Sequence, residues 1–353
     1  MTDLKNYDYT TTSPETPGTT PGRITEHRRE KYTVITQYGE VTASLKGAFY
    51  HNDAMRDDFP AVGDFVLLEY NHSGDSRISE LLPRRTKFSR ADFSGHAAGY
   101  VKTIREQVVA ANFDYVFILS SLNQDFNVSR ILRYLTQAYA SGGQPVIILT
   151  KADLIDDAIT PLAMVERAAA GVPVLAVSSH TGDGIELLSE FLQPGKTVVF
   201  LGMSGVGKSS LLNALMDENV MTVSDIREDD SRGRHTTTHR QLFMLPSGAM
   251  VIDTPGMREL GLFDAEEGIS AGFQDVEELF SQCRFNDCNH KTEPGCAVRA
   301  ALTNGSLTIE RWERYQAQQR ENRFVHDKAA YMRERRDGQK SIALYSKMKK
   351  KKG

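Results

Sequence analysis

Short apolar runs in the first part of this chain predict a small β-barrel. Between residues 31 and 83 the runs partly alternate with polar residues, as in Tyr32–Thr36, Glu40–Leu45 and Gly63–Tyr70, and glycines and asparagines separate them. Alternation with a period of two, bounded by turn-forming residues, predicts β-strands. Several short strands in so few residues suit a barrel, but the pattern does not distinguish an OB-fold from an SH3-like barrel.

From about residue 112 the pattern becomes that of an α/β domain. Fully apolar runs such as Tyr115–Leu119 and Pro145–Leu149 read as buried strands, and the amphipathic segment Val128–Ala140 between them reads as a helix. Strands that alternate with helices predict a mainly parallel sheet covered on both faces. After Gly261 the pattern turns helical, and a long polar helix is expected from about Thr308 to Arg336.

The composition points to a cytoplasmic protein without a membrane partner. Apolar residues make up 40% and charged residues 25% of the 353 residues, which are ordinary values for a globular protein. No apolar run approaches the roughly 20 residues that span a bilayer. The N-terminus is polar and lacks the pattern of a secretory signal.

Basic residues are concentrated near the C-terminus, although the net charge is −4. Between Arg311 and Lys340 there are nine Lys or Arg against five Asp or Glu, and five more lysines follow between Lys347 and Lys352. Such a segment suits a polyanionic partner. Taken alone, the charge slightly favours a solvated helix and a frayed tail.

The segment GMSGVGKS, residues 202–209, matches the phosphate-binding pattern G-x-x-x-x-G-K-[ST] in full. An apolar strand precedes it and a helix follows it, which is the setting that the pattern requires. We expect Lys208 to reach the outer phosphates and Ser209 to ligate Mg²⁺. The expected phosphate-binding residues are Gly202, Met203, Ser204, Gly205, Val206, Gly207, Lys208, Ser209 and Ser210.

Two further segments complete the expected phosphate site. Asp253 opens the tetrapeptide DTPG after an apolar strand, where an acid that holds Mg²⁺ is expected, and the N–H of Gly256 would meet the terminal phosphate. Between the two motifs lies GRHTTT, residues 233–238, in which we expect a threonine that completes the Mg²⁺ shell. Thr237 and Thr238 are both candidates, and Thr237 is taken for the Mg²⁺ ligand.

The segment TKAD, residues 150–153, resembles the guanine-specificity motif Asn-Lys-x-Asp of GTPases. The carboxylate of Asp153 can accept from two donors on the guanine edge, whereas adenine has no matching donor pair. Lys151 would lie over the base, and Ser178 and Ser179 would close the pocket. The expected base-binding residues are Thr150, Lys151, Ala152, Asp153, Ser178 and Ser179.

The base motifs precede the phosphate motif, the reverse of the order in a Ras-like domain. If the last helix of such a domain were joined to its first strand, the chain would open before the strand Tyr115–Leu119, and every motif would take its place. The ends of a domain often lie close together, so this rearrangement costs little. We therefore predict a circularly permuted P-loop GTPase domain.

The three cysteines of the chain fall within fourteen residues and form a pattern with one histidine. Cys283, Cys288, His290 and Cys296 give Cys-x4-Cys-x-His-x5-Cys. Three thiolates and an imidazole suit one tetrahedral structural Zn²⁺ per chain. Four protein ligands leave no open position for catalysis.

Together these motifs, with the run CRFNDCNHKTEPGCAV, resemble the ribosome small-subunit-dependent GTPase A family of bacteria. The resemblance implies an OB-fold, the permuted GTPase domain and a zinc domain, with GTP, Mg²⁺ and Zn²⁺ bound. It also implies a monomer that contacts rRNA late in maturation of the small ribosomal subunit. The expected segments are a disordered arm 1–30, an all-β OB-like barrel 31–100, the α/β GTPase domain 101–265, an α-helical zinc domain 266–340 and a basic tail 341–353.

The catalytic group is expected in the switch segment. Met257 occupies the position where Ras-like enzymes carry a water-orienting glutamine, so another group must position the water. His235 is the candidate, because it is polar and exchanges protons near neutral pH; a solvent-facing loop histidine is the alternative. Two other functions stay open from the residues alone: a nucleotide-regulated RNA-binding module with negligible turnover, and a P-loop kinase or ATPase.

Overall fold

The computed structural model describes residues 1–10, 16–28, 30–47, 49, 59–92, 105–123, 126–218, 220, 240–253 and 266–326. The chain forms two compact units, Met1–Leu260 and Gly261–Gly353. No helix in these described ranges is both long enough and apolar enough to cross a membrane.

The N-terminal part of the first unit is a closed five-stranded barrel. In spatial order around the barrel, β1 pairs with β2, β2 with β3, β3 with β5, β5 with β4, and β4 closes on β1. Only β3 and β5 run parallel. This is the strand order of an OB-fold, so the OB alternative is confirmed. The strands are β1 (Thr20–Arg28), β2 (Lys31–Thr36), β3 (Gly39–Leu45), β4 (Phe65–Glu69) and β5 (Ser76–Leu81).

The expectation of a disordered arm over residues 1–30 is wrong for much of that segment. Leu4–Tyr7 forms a 3₁₀ turn, and Thr20–Arg28 forms β1, the strand on which the barrel closes. Its sequence TPGRITEHR carries a single aliphatic residue, Ile24. Thr20, Gly22, Arg23 and Ile24 are nevertheless buried. Gly22 lets β2 approach closely, since a Cβ there would lie 2.5 Å from a methyl carbon of Val34.

A bulge in β1 joins the barrel to the α/β sheet. Along one edge, residues 20–23 pair with β4 and close the barrel, whereas Glu26 and His27 pair with strand β12 (Arg240–Met244) of the next domain. The register against β2 shifts between Ile24 and Glu26. A bulge bends and twists a strand, and here it carries β1 out of the barrel and into the α/β sheet.

A hairpin that the sequence did not predict follows the barrel. Strands β6 (Lys87–Asp92) and β7 (Arg105–Ala111) pair antiparallel as a separate two-stranded sheet. The expected domain boundary at residue 100 therefore falls between two paired strands. The polar sequence of β6 gives no alternation that would reveal a strand.

The α/β part has the predicted permuted topology. Its strands lie in the order β10-β9-β8-β11-β13-β12, and all neighbours are parallel except β12 and β13. The central strand, β11, comes fourth along the chain. The elements are β8 (Tyr115–Ser121), α1 (Val128–Ala140), β9 (Gln144–Thr150), α2 (Ile159–Ala168), β10 (Val174–Ala176), β11 (Thr197–Leu201), α3 (Lys208–Met216), β12 and β13 (Met250–Asp253).

The helix that precedes β11 is tighter than the α-helix expected at the end of a Ras-like domain. Ile185–Glu190 forms a 3₁₀ helix rather than an α-helix, and Gly184 at its start has a φ of 73°. A Cβ on Gly184 would lie 2.3 Å from the carbonyl oxygen of Ala176. The close approach of this turn to β10 therefore requires glycine at position 184.

One apolar core runs through both parts of the first unit. Ile24 and Val66 of the barrel belong to the same buried cluster as Val116, Val199 and Ile252 on one face of the α/β sheet. Their alternating neighbours, such as Phe117, Val198 and Val251, form a second cluster on the opposite face. The barrel therefore packs as an extension of one face of the sheet.

Arg23 is fully buried where the barrel meets the α/β sheet. Its five N–H groups make five hydrogen bonds within the first unit, at 2.7–3.2 Å, to Gly63 O, Tyr7 O, Met250 Sδ, Asn112 O and Thr197 Oγ1. Burial lowers its pKa to about 10, so the guanidinium stays charged at neutral pH. A buried charge is tolerated only when its donors are satisfied.

The second unit is helical. Its elements are α4 (Glu266–Gly272), α5 (Gln274–Glu277), α6 (Ala297–Asn304) and α7 (Ile309–His326). The guanidinium of Arg311 donates to both carboxylate oxygens of Asp275, at 2.6 and 2.5 Å, and ties α7 to α5. The predicted continuation of the long helix to Arg336 lies outside the described residues, as does the basic tail.

Replacing Arg23 should destabilise the first unit strongly. Arg23→Met leaves several buried carbonyl groups without their donor, and we expect the free energy of unfolding to fall by about 2–4 kcal/mol. Arg28→Met is the control, since Arg28 lies on the same strand but is 61% exposed and pairs with Glu26 at the surface. An exposed pair contributes less than about 1 kcal/mol. Urea unfolding followed by circular dichroism compares them, and equal midpoints for the two variants would contradict this role of Arg23.

Candidate nucleotide site and metal centre

The phosphate motif forms a loop between β11 and the helix α3. Gly205 and Gly207 have positive φ values of 80° and 98°, which a residue with a side chain rarely adopts. At Gly202 a Cβ would lie 2.7 Å from the carbonyl oxygen of Leu119, so only glycine fits beside β8. The ammonium group of Lys208 donates to the carbonyl oxygens of Gly202 and Met203, at 2.6 and 2.7 Å. The loop thus has the shape and the charge to bind phosphate.

Asp253 lies at the carboxyl end of β13, next to the strand that leads into this loop. In the parallel ladder Asp253 is opposite Phe200, two residues before Gly202. The residue is 4% exposed. Ser209 lies in the first turn of α3. Carboxylate and hydroxyl oxygens are ligands that Mg²⁺ prefers, so both residues fit such an ion.

A hydrogen bond joins the base motif to Ser178, one of the two serines expected to close the pocket. Ser178 is fully buried, and its hydroxyl donates to Oδ1 of Asp153 at 2.6 Å. The same hydroxyl oxygen accepts from the backbone N–H groups of His180 and Thr181, at 3.2 and 3.1 Å. These bonds orient the carboxylate of the exposed Asp153. The sequence placed Ser178 in the pocket but gave no sign that it holds Asp153.

The base motif is also tied to the phosphate loop. The hydroxyl of Thr150 donates to the carbonyl oxygen of Val206 at 2.6 Å. Lys151, the next residue, has a φ of 60°, and Ala152 donates from its N–H to Val177 O at 3.1 Å. The base motif, Thr150 to Asp153, thus lies between the phosphate loop and the segment that contains Val177 and Ser178. Ser179 is half-buried in that segment.

Four expected residues of the nucleotide site lie outside the described residues. They are Gly256 of the DTPG segment, the switch threonines Thr237 and Thr238, and His235. Met257 lies outside them as well. The described part of the site therefore contains the base pocket, the phosphate loop and Asp253.

The structure brings Cys283, Cys288, His290 and Cys296 together in the second unit. Their ligand atoms all lie within 4.8 Å of one another. Nδ1 of His290 is 3.6 Å from Cys283 Sγ and 3.5 Å from Cys296 Sγ, and those two sulfurs are 4.0 Å apart. Around a tetrahedral Zn²⁺, ligand atoms at about 2.0–2.3 Å from the ion are separated by about 3.5–3.8 Å. The cluster therefore fits a four-coordinate metal.

Aromatic side chains hold the histidine of this cluster. The ring of His290 stacks on Phe280 at 4.4 Å and meets the edge of Trp312 at 5.7 Å. Burial lowers the pKa of His290, which favours the neutral imidazole that binds a metal. Trp312 belongs to α7, so the cluster and the long helix are packed together. The spacing of the metal ligands in the sequence gives no sign of either aromatic residue.

Glu293 organises the loop that carries the histidine. Its carboxylate accepts from the backbone N–H groups of Asn289, Lys291 and Thr292 at 2.9–3.2 Å. The backbone N–H of Glu293 itself, followed by those of Thr292, Asn289 and Lys291, lowers the pKa of Glu293 to about 2. Glu293 was not predicted from the sequence, although its position between the ligands His290 and Cys296 is a signal.

Comparisons with known proteins agree with this geometry. The family model of the RsgA GTPase matches residues 81–263. The small ribosomal subunit biogenesis GTPase RsgA 1 of Listeria innocua is 47% identical over 325 residues, which cover 91% of this chain and 89% of that relative. The small ribosomal subunit biogenesis GTPase RsgA of Opitutus terrae is 42% identical over 315 residues, which cover 86% of this chain and 84% of that relative.

Two solved structures resemble the whole architecture. YjeQ from Thermotoga maritima superposes with a TM-score of 0.61 at 28% identity, covering 85% of this chain and 96% of that one. YloQ, described as a circularly permuted GTPase, superposes with a TM-score of 0.57 at 25% identity, covering 86% of this chain and 96% of that one. The permuted sheet, the joined phosphate and base motifs and these relatives lead to one conclusion: the chain belongs to the RsgA GTPase family.

Proposed function

We propose that this chain hydrolyses GTP to GDP and phosphate while bound to the small ribosomal subunit, and acts late in the biogenesis of that subunit. The observation that carries the proposal is the joined site, in which the phosphate loop and the guanine motif are linked by the bond between Thr150 and Val206. The names of relatives that match most of the chain support the choice of the small subunit. GTP would favour docking and hydrolysis would favour release.

Each residue of the site has a role in this proposal. Asp153 accepts from the guanine edge, the stem of Lys151 lies over the base, and Ser179 closes the pocket. Lys208 and the N–H groups of the loop bind the phosphates, and Gly256 meets the terminal phosphate. When Mg²⁺ is bound it neutralises charge on the phosphates. Three residues would hold that ion: Ser209, Asp253 and Thr237, with Thr238 as the alternative to Thr237.

The flanking parts of the chain would provide the grip on rRNA. The barrel has the OB strand order, which supports oligonucleotide binding in other proteins. The basic residues after Arg311 add positive charge to the second unit. Phosphate contacts of this kind make binding sensitive to salt. We propose that the protein acts as a monomer in the cytoplasm.

The proposed function makes hydrolysis dependent on the subunit. Single-turnover GTP hydrolysis should be slow for the protein alone, rise with purified small subunits, and stay slow with large subunits. The proposed reason is that Met257 cannot orient water, so the catalytic group must be ordered by the partner. A rate that small subunits leave unchanged would contradict the proposal and would favour a nucleotide-regulated RNA-binding module.

His235→Ala tests the catalytic group in the same assay. Loss of a general base or water-orienting group costs about 10²–10⁴ in rate, so stimulated hydrolysis should fall by that range. GTP affinity should barely change, because the phosphate loop and the base motif are intact. His239→Ala, four residues along the same segment, is the matched control. A rate for His235→Ala within about threefold of the wild type would remove His235 from the mechanism.

We also propose that the Cys₃His cluster holds one structural Zn²⁺. Elemental analysis of protein purified without added metal should find near-stoichiometric zinc, and Cys288→Ser should lower that content. Asp287→Ser is the control, since Asp287 is the exposed neighbour outside the ligand set. In the variant Cys288→Ser, the unit Gly261–Gly353 should be cleaved faster by proteases. GTP should still bind normally, because the nucleotide site lies in the first unit. Fully folded wild type without metal would contradict the assignment.

A further inference from the structure

The hydroxyl of Thr150 is committed to the phosphate loop. Thr150 ends β9 and is 2% exposed. Its hydroxyl oxygen lies 2.6 Å from Val206 O and 3.5 Å from Ser120 O, and both of these atoms are carbonyl acceptors. A hydroxyl has one proton to donate. The hydroxyl therefore donates its hydrogen bond to Val206 O, the nearer of the two acceptors.

This position is where Ras-like GTPases carry asparagine, and the two side chains differ in their number of donors. An asparagine amide has two N–H donors, so it can bond to the loop carbonyl and still donate to a second acceptor. A threonine hydroxyl that bonds to Val206 O has no proton left. The Hoogsteen edge of guanine presents N7 and O6, which are both acceptors and can be read only by donors.

We propose that this pocket does not read N7 of guanine, and that Thr150 instead anchors the phosphate loop to the base motif. The inference rests on the proposed role of Asp153. Its carboxylate accepts from the N–H donors on the opposite edge of guanine. The bond from Ser178 to Asp153, at 2.6 Å, orients that carboxylate and does not involve Thr150. Asp153 thus recognises the base and Thr150 anchors the loop, whereas an asparagine at position 150 could do both.

The wild-type protein provides the first test. In 7-deaza-GTP a C–H group replaces N7, and the donors that Asp153 reads are unchanged. GTP and 7-deaza-GTP should bind with affinities equal within about twofold, as measured by calorimetry on the full chain. A hydrogen bond to N7 is worth roughly fivefold in affinity. Binding of 7-deaza-GTP more than about fivefold weaker than GTP would overturn the proposal.

Substitutions at Thr150 provide the second test. Thr150→Asn supplies the extra donor and should create a preference for GTP over 7-deaza-GTP of about fivefold. Thr150→Val keeps the shape of the side chain but loses the bond to Val206, so it should weaken the binding of GTP and 7-deaza-GTP equally. Thr150→Ser keeps the hydroxyl and should restore the affinity for both nucleotides. If Thr150→Val binds GTP as well as the wild type does, the anchoring role is wrong. If Thr150→Asn gains no preference, the donor argument fails.

A third arm separates this inference from the proposed function. Asp153→Asn should weaken GTP and improve xanthosine triphosphate, whose base carries a carbonyl where guanine has its amino group. Asp156→Asn, an exposed residue three positions along, is the matched control. If Asp153→Asn leaves the preference for GTP unchanged, the assignment of Asp153 fails. The comparison of GTP with 7-deaza-GTP then still decides whether N7 is read.

Discussion

The buried guanidinium of Arg23 is the interaction on which the arrangement of the first unit depends. It contacts Thr197 at the start of the strand that leads into the phosphate loop, and Met250 at the start of the strand that ends at Asp253. It also contacts Gly63 in the barrel. A charge in this position must keep all of its partners. Barrel and sheet are therefore fixed against each other at the strands that carry the phosphate site.

The permuted order of the motifs has a simple basis in the sheet. Hydrogen bonds between strands record which strands are neighbours, not which strand comes first along the chain. Here β11 lies between β8 and β13, as the first strand of a Ras-like sheet would, although it comes fourth. The new ends of the domain are used for attachment: the barrel precedes β8, and twelve residues separate Asp253 from α4 of the second unit. Both flanking parts are thus joined to the chain close to phosphate-site strands.

The sequence predicted the parts of the fold that depend on apolar runs. The strand Tyr115–Ser121 and the helix Val128–Ala140 were expected close to their observed bounds, and an apolar strand was expected directly before the phosphate motif, where Thr197–Leu201 lies. The strand β1 was missed because its burial depends on Gly22 and Arg23, and a rule based on apolar residues counts both against a strand. Glycine allows close approach, and arginine is buried here only because partners distant in sequence satisfy it.

The site shows the same limit. Motif spacing identified the phosphate loop, the base motif and the four Cys/His residues, because each set lies within a short stretch of chain. It could not show that Thr150 bonds to Val206 or that Ser178 bonds to Asp153, since these contacts join residues 56 and 25 positions apart. At position 150 the chain carries threonine where the guanine motif has asparagine. In the structure the hydroxyl keeps one of the bonds that an amide could make.

The bulged strand β1 has a further effect on how the protein behaves when it is concentrated. In a P-loop domain alone, β12 would be an edge strand with unpaired N–H and C=O groups, open to another chain. Here β1 pairs with Arg240 and Gln241 of this strand, and the barrel closes through the pairing of β4 with β1. Among the described strands, the sheet ends at β10, which has only three residues, and closes on itself in the barrel at its other end. Fusion of the two domains thus pairs part of an edge that would otherwise favour edge-to-edge aggregation.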